Sequence, residues 1–189
     1  MSNFTALYDS CVLYPAPLRD LLMHLALTDL YRAKWTDQIH EEWMRNVLKN
    51  RPDIKIEQLE RTRHLMNENV RDCLVSHYEE IIPSLRLPDP NDRHVLAAGI
   101  HCNAAVIVTY NLKDFPRKET EKFGIEVQHP DDFLVDLIDL SPRLVFAAVH
   151  RCRLSLKNPP KNPHEYLEYL ANQNLPKTIK KLESSHQYI

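Results

Sequence analysis

Glycine is scarce in this sequence of 189 residues, and only Gly99 and Gly124 occur. A phosphate-binding loop or a dinucleotide-binding fingerprint needs several glycines at one turn, because the backbone approaches a phosphate closely there. Two widely separated glycines cannot form either motif. The sequence therefore argues against ATP, GTP or NAD binding by these routes.

Paired cysteines and long apolar runs are also missing. The four cysteines are scattered without a C-x-x-C pair, which argues against a zinc or iron–sulfur site and favours buried free thiols. No apolar run approaches the roughly 20 residues of a membrane-spanning helix. The start Met1-Ser2-Asn3 has no basic region followed by an apolar stretch. These absences predict no membrane association and a cytoplasmic location.

Charge is distributed unevenly, although the formal net charge is only −2. The segment 143–181 contains eight Lys and Arg residues against two acids, a net charge of +6, whereas residues 1–142 sum to −7. An acidic body with a basic tail indicates two surfaces with different tasks. A solvated basic helical face explains the same pattern, and both interpretations stay open.

Apolar, strand-like runs alternate with stretches of helical periodicity over the first two thirds of the chain. The runs lie at 4–8, 72–75, 104–109 and 125–127, and residues 11–14 are expected to form a turn. The run at 104–109 is almost entirely apolar, which is typical of a parallel strand covered on both faces. This alternation predicts an α/β fold with a central, mainly parallel sheet flanked by helices.

Prolines and capping residues set the expected limits of the first helices. Pro15 and Pro17 can occupy the first turn of a helix whose leucines continue to Leu30. Thr36 can cap the next helix, and Pro52 ends it.

The last part of the chain changes character, because prolines there separate short helical stretches. We predict a domain boundary near residue 140. The α/β domain would occupy residues 1–140, and residues 141–189 would form a short, basic, helical C-terminal extension.

Acidic side chains lie directly after the predicted strands. Functional sites of open parallel sheets form there, at the carboxyl ends of the strands. Asp9 ends the first strand, and Asn111 and Asp114 follow the most apolar strand. Asp92 lies at the start of the helix that precedes that strand. Glu42 lies on the helix that Thr36 is expected to cap. Taken singly, each acid has a structural explanation as a turn residue, a helix cap or part of a solvated helix face.

Four segments together resemble the PIN domain, the nuclease fold shared by VapC-type toxins. Residues 8–10 resemble the family's D-[ST] signature, and residues 39–43 resemble the segment with its helix glutamate. Residues 89–98 resemble the D-x-x-x-L-A-A helix, and 108–116 resemble the V-T-x-N-x-x-D-F loop. The resemblance covers residues 5–135, and the last two segments are the most specific.

The resemblance implies a Mg²⁺- or Mn²⁺-dependent ribonuclease, a hydrolase that cleaves RNA phosphodiester bonds. The matching positions are Asp9, Glu42, Asp92 and Asp114, which we expect to be both catalytic residues and metal ligands. Hard divalent ions bind oxygen ligands, neutralise the charge that gathers during cleavage and lower the pKa of a bound water. The ion also makes a cluster of mutually repelling carboxylates tolerable.

Two supporting residues are expected beside the acids. Thr109 can hold Asp9 through a hydrogen bond, although a β-branched strand residue needs no such role. Asn111 stands where many relatives carry Asp, so Asp114 must supply the fourth acid. Asn111 can still orient a bound water.

Two acids have neighbours that could replace them. Glu41 precedes Glu42 directly, and we prefer Glu42 by its register on the helix. Asp89 is an alternative to Asp92. Glu41 and Asp89 are therefore expected beside the metal ligands.

RNA would be bound by Arg93 and Lys113, because phosphate binding is mostly electrostatic. His94 is expected to be structural. The resemblance further implies an antitoxin protein as a partner and the possibility of a homodimer. An alternative hypothesis is a non-catalytic binding or assembly module on a PIN fold, which Asn111 supports.

Overall fold

The structure is a computed structural model that describes residues 4–184 and 189. Over these residues the protein has the predicted α/β fold, with a central, entirely parallel sheet flanked by helices and with helices at its C-terminal end. The sheet has four strands in the order β2-β1-β3-β4. The strands are β1 (Thr5–Tyr8), β2 (Arg32–Lys34), β3 (Val106–Val108) and β4 (Glu126–Gln128).

Helices connect the strands and continue after the sheet. Four short 3-10 helices lie among the described residues, at Glu79–Ser84, Pro90–Asp92, Leu112–Asp114 and Glu121–Phe123. None of the helices in the described part of the chain is long and apolar enough to cross a membrane. The α-helices are α1 (Ser10–Leu13), α2 (Ala16–Ala26), α3 (Asp37–Asn50), α4 (Ile56–Asn69), α5 (Arg93–His101), α6 (Arg117–Thr120), α7 (Pro130–Leu140), α8 (Pro142–Ser155), α9 (Pro163–Ala171) and α10 (Pro176–Glu183).

The chain forms two compact units. The first contains the sheet and consists of Tyr31–His129 with the described residues of Met1–Tyr14. The second consists of Pro15–Leu30 with the described residues of Pro130–Ile189. In the second unit, α2 packs against α8, and α7 packs against α8 and α10. The predicted division into domains at residue 140 stays a prediction.

The two central strands determine where the chain leaves the sheet. Side chains of β3 are all buried, as are Ala6, Leu7 and Tyr8 of β1, which is the burial expected of a parallel sheet covered on both faces. Tyr8 lies opposite Val108 in the register of the two strands. The residues that follow, Asp9 and Thr109, therefore leave the sheet side by side.

The second strand of the sheet differs from the prediction. The run at 72–75 forms only an isolated bridge between Trp35 and Leu74, and β2 takes the place of the predicted strand. Ala33 of β2 is buried, whereas Arg32 is exposed. Charged residues on a short strand are typical of a sheet edge, where they oppose pairing with other chains.

The helix beginning at Thr36 agrees with the prediction, whereas two other local assignments were wrong. The Thr36 hydroxyl accepts a hydrogen bond from the backbone N–H of Ile39 at 3.0 Å and so caps α3. Residues 11–13 of the expected turn at 11–14 instead belong to α1, and Tyr14 follows as its C-cap. Helix α2 ends at Ala26, before Leu30, because Asp29 has a φ of 57° that a right-handed helix cannot continue.

Candidate active site

Asp9 is held firmly at the carboxyl end of β1, where it is 2% exposed. Its backbone N–H donates to the carbonyl of Val108 at 3.1 Å. Its Oδ1 accepts from the backbone N–H of Ser10 at 2.6 Å and so caps α1. Its Oδ2 accepts from the hydroxyl of Thr109, also at 2.6 Å. Both carboxylate oxygens thus have fixed directions.

Cys11 adds a further contact to this pair. Its thiol donates to Oδ2 of Asp9 at 3.1 Å and lies 3.2 Å from the hydroxyl of Thr109. Burial, together with the negative charge of Asp9, raises the pKa of Cys11 far above its ordinary value. The thiol therefore stays protonated and acts as a weak donor.

Glu42 projects from α3 and pairs with a histidine of α5. Its Oε1 lies 2.8 Å from Nε2 of His94. Burial acts to raise the pKa of Glu42, but the hydrogen bond and charge of His94 and a hydrogen bond from Ser10 outweigh it and lower the pKa. Glu42 is thus a partly buried carboxylate with fixed partners, whereas Glu41 is exposed.

Asp92 lies where the 3-10 helix Pro90–Asp92 passes into α5. It occupies the cap position of α5 but makes no capping hydrogen bond. Asp89 does cap, because its Oδ1 accepts from the backbone N–H of Asn91 at 2.8 Å. A helix cap is therefore the role of Asp89 and does not explain Asp92.

Negative charge converges on Asp92. Burial and the nearby carboxylates of Asp9, Asp89 and Asp114 raise the pKa of Asp92 to about 6, against a smaller opposing effect of His94. Like charges at short range disfavour the charged form of a carboxyl group. The structure thus brings Asp9, Asp92 and Asp114 within electrostatic reach of one another.

Asp114 and Asn111 belong to the loop after β3. The backbone N–H of Asn111 donates to the Thr109 hydroxyl at 3.0 Å, and the backbone N–H of Asp114 donates to the Asn111 carbonyl at 3.0 Å. The following helix, α6, begins after Pro116 and has no side-chain cap. Asp114 is therefore not a cap of that helix, and Asn111 is exposed.

An open cleft of about 860 Å³ lies beside these acids. Glu41, Glu42 and Asp92 line it together with Ser10 and Arg45. Among residues 4–184 and 189, no three His, Cys, Asp or Glu side chains are arranged so that they could hold a metal ion.

The two predicted RNA contacts lie outside this lining. Lys113 is exposed and borders a second pocket, of about 730 Å³, together with Phe115 and Arg117. Arg93 is partly buried, and its Nε has no hydrogen-bond partner among the described residues.

Two residues contact the acids of the site although the sequence did not predict them as site residues. Ser10 has its hydroxyl 3.3 Å from Oδ1 of Asp9 and helps to lower the pKa of Glu42. His94, expected to be structural, contacts Glu42 directly. The available signal for His94 was its position two residues after Asp92, on the same helix.

Comparison with known proteins finds similarity over part of the chain. Residues 130–184 match the family model described as VapC50 C-terminal domain. A protein of Mycobacterium tuberculosis (strain ATCC 25618 / H37Rv), named "Putative ribonuclease VapC50", is 43% identical over 82 residues. The chain is thus similar to VapC-type proteins over part of its length.

The similarity between this chain and its relative is partial. The matched residues make up 43% of this chain and 48% of the relative, so the chain spans about half the length of the curated relative it matches. No solved structure matches the chain.

Proposed function

We propose that the protein is a divalent-metal-dependent endoribonuclease that cleaves single-stranded RNA. The observation that carries this proposal is the convergence of the carboxylates of Asp9, Asp89 and Asp114 on the half-buried Asp92; burial and these neighbours together raise the pKa of Asp92 to about 6. Perturbed carboxylates that converge from several elements are characteristic of functional sites. The relative from Mycobacterium tuberculosis is named as a ribonuclease, which supports the same activity.

No three of the described acids are arranged to hold an ion, so binding would have to draw them together. Their donor chemistry nevertheless fits Mg²⁺ or Mn²⁺, because hard divalent ions prefer carboxylate oxygens. In this proposal the ligands are Asp9, Glu42, Asp92 and Asp114. Repulsion among carboxylates around Asp92 is the kind of cost that a bound cation removes. When bound, such an ion neutralises the negative charge that develops during phosphodiester cleavage.

The protein's own residues orient the acids and the substrate. Thr109 and Ser10 fix the two oxygens of Asp9. Lys113, exposed beside Asp114, is a contact for an RNA phosphate, and Arg93 is the second proposed contact. Without a bound ion, the carboxyl group of Asp92 is mostly protonated below about pH 6. Protons then compete with the ion for this ligand, so we expect ion affinity, and with it activity, to decline there.

Cleavage of single-stranded RNA tests the proposal. The parent protein should cleave in Mg²⁺ and lose this activity in excess chelator. Asp9→Asn and Asp92→Asn should reduce the rate at least about 100-fold, because each removes a charged ligand. Asp72→Asn is the matched control, since Asp72 is exposed. Cleavage by both site variants at the rate of the parent would contradict the proposal.

We further propose that the protein is the toxin of a toxin–antitoxin pair in the cytoplasm. The match of residues 130–184 to the VapC50 C-terminal domain and the name of the relative support this assignment. Expression of the parent should arrest growth, and co-expression of an antitoxin should relieve the arrest. Cleavage without growth arrest would contradict the toxin role and leave the nuclease proposal standing. A homodimer stays a prediction, which the solution mass of the protein tests.

A non-catalytic module is the second candidate function. It is favoured by Asp9, whose carboxylate oxygens both accept hydrogen bonds within the protein and already cap α1. The exposed amide of Asn111, in place of an acid, points the same way. This candidate predicts that Mg²⁺ leaves the melting temperature unchanged, whereas an ion that binds the folded protein raises it.

A further inference from the structure

His94 forms a shielded hydrogen bond to one of the proposed metal ligands. Its Nε2 lies 2.8 Å from Oε1 of Glu42, and the two side chains are 4% and 19% exposed. A carboxylate can only accept, so the proton lies on Nε2 and the histidine donates. Hydrogen bonds to a charged group are shorter and stronger than neutral ones, and burial strengthens them further.

Packing alone does not explain a histidine at this position. Nδ1 of His94 is buried and has no hydrogen-bond partner among the described residues. A buried polar atom without a partner costs about 1–3 kcal/mol, and an apolar ring of similar size would avoid that cost. The contact of Nε2 with Glu42 is therefore the property that distinguishes this side chain from an apolar one.

His40 shows how this protein satisfies a histidine within its core. Nε2 of His40 lies 2.9 Å from Oδ1 of Asn67, and Nδ1 accepts from Nε1 of Trp43 at 3.0 Å. Both ring nitrogens of His40 therefore have side-chain partners, the partly buried Asn67 and the buried Trp43. His94, in contrast, has a hydrogen-bond partner among the described residues at Nε2 alone, and that partner is Glu42, an acid that lines the cleft.

The hydrogen bond fixes the direction of the Glu42 carboxylate. Glu42 comes from α3 and His94 from the first turn of α5, next to Asp92. Glu42, Asp92 and His94 line the same cleft. When one oxygen of a carboxylate is bound in place, rotation of the group is prevented and the second oxygen is oriented as well.

We propose that His94 is a positioning residue that holds Glu42 in the orientation needed to bind a divalent ion. This inference rests on the proposed function, because it assigns Glu42 as a ligand. Groups that hold a metal ligand through a hydrogen bond typically contribute about 10- to 100-fold to metal affinity.

Calorimetric titration of Mn²⁺ into the full-length protein tests the inference. His94→Phe keeps a ring and removes the donor, so the Kd should rise about 10-fold or more. His94→Gln can place an amide N–H near the position of Nε2 and should restore the Kd to within about threefold of the parent. His101→Phe, at an exposed position of the same helix, is the control and should bind like the parent.

RNA cleavage provides a second measurement on the same variants. A positioning role predicts that saturating Mn²⁺ largely restores the rate of His94→Phe, because the acids themselves are intact. Thermal unfolding of each variant shows that it is folded. If His94→Phe does not unfold cooperatively, His94→Leu replaces it.

The outcomes separate the inference from the proposed function. Equal binding by the parent and folded His94→Phe would overturn the inference alone. Weaker binding by His94→Phe without recovery in His94→Gln would assign the effect to shape and would also overturn it. Failure of both His94→Phe and His94→Leu to fold would make His94 structural. Absence of Mn²⁺ binding to the parent would overturn the proposed function and the inference together.

Discussion

The hydroxyl of Thr109 donates to Oδ2 of Asp9 at 2.6 Å, joining the residues that follow the two central strands. Both side chains are buried. Because Tyr8 and Val108 are in register, the sheet itself determines that these two residues meet. The orientation of Asp9 is thus built into the pairing of β1 with β3.

Thr109→Val tests this relationship, because valine has the shape of threonine without its hydroxyl. Loss of a donor to a buried carboxylate should lower the free energy of unfolding by about 1–3 kcal/mol, measured in urea. RNA cleavage should fall about 10-fold. Thr120→Val is the control, because the buried Thr120 hydroxyl has, among the described residues, a single hydrogen bond, to a backbone carbonyl at 3.4 Å. A variant as stable and active as the parent would contradict this role.

Asp92→Asn should stabilise the protein in the absence of divalent ions. The folded pKa of Asp92, about 6, lies above the ordinary value of 3.8. The folded state therefore binds this proton more tightly, and the contribution of Asp92 to stability declines as pH rises through that interval. Because the group is partly exposed, solvent screening reduces the effect at pH 7.5 to about 1 kcal/mol.

Thermal unfolding at pH 7.5 measures this effect. The melting temperature of Asp92→Asn should rise by about 2–4 °C relative to the parent. Asp72→Asn should leave it unchanged. Mg²⁺ should then raise the melting temperature of the parent but not that of Asp92→Asn. A lower melting temperature for Asp92→Asn would show that repulsion around Asp92 is not a net cost.

Glu41 and Glu42 form a matched pair for identifying the helix ligand. Glu42 is partly buried against His94, whereas Glu41 is exposed and borders the same cleft. Glu42→Gln should weaken Mn²⁺ binding at least about 10-fold, because it removes a charged ligand. Glu41→Gln should change the Kd less than about twofold. The reverse order of effects would assign the ligand to Glu41.

Asp131 is predicted to be a structural acid of the second unit. Its carboxylate accepts from the backbone N–H groups of Lys177 and Thr178, at 3.0 and 2.8 Å, in the first turn of α10. Asp131→Ala should therefore lower the free energy of unfolding by about 2 kcal/mol. Asp132→Ala, which removes an exposed pair with Lys177, should cost less than about 1 kcal/mol. Equal losses in urea unfolding would contradict this distinction.

Lys113 should contribute to RNA affinity through charge alone. Lys113→Ala should weaken binding to any single-stranded RNA and reduce the slope of log affinity against log salt by about one ion. Lys49→Ala, at an exposed position near the end of α3, is the control. An unchanged salt slope for Lys113→Ala would remove Lys113 from the interface.

The sequence predicts the centre of the sheet well, because a strand that is buried on both faces forms an uninterrupted apolar run. Strand β3 must be apolar on both faces, and the polar residues after it mark the carboxyl edge of the sheet. Strand β2 was missed because it is short and charged. Its signal is the alternation of buried Tyr31, Ala33 and Trp35 with Arg32 and Lys34.

Contacts between distant parts of the chain could not be predicted from the sequence. His94 could not be assigned to Glu42, since their meeting depends on how α3 lies against α5. Similarly, no local pattern shows that Pro15–Leu30 belongs with the C-terminal helices. The roles of Asp89 and Asp92 also needed structure, because either carboxylate could have capped the helix.

Calorimetric titration of Mn²⁺ into the parent protein and into Asp92→Asn tests the central claim most directly. The claim is that Asp9, Glu42, Asp92 and Asp114 form one divalent-ion site. We predict saturable binding to the parent, retained in Asp72→Asn and lost in folded Asp92→Asn. Binding to Asp92→Asn with the affinity of the parent, or no binding to either protein, would contradict it.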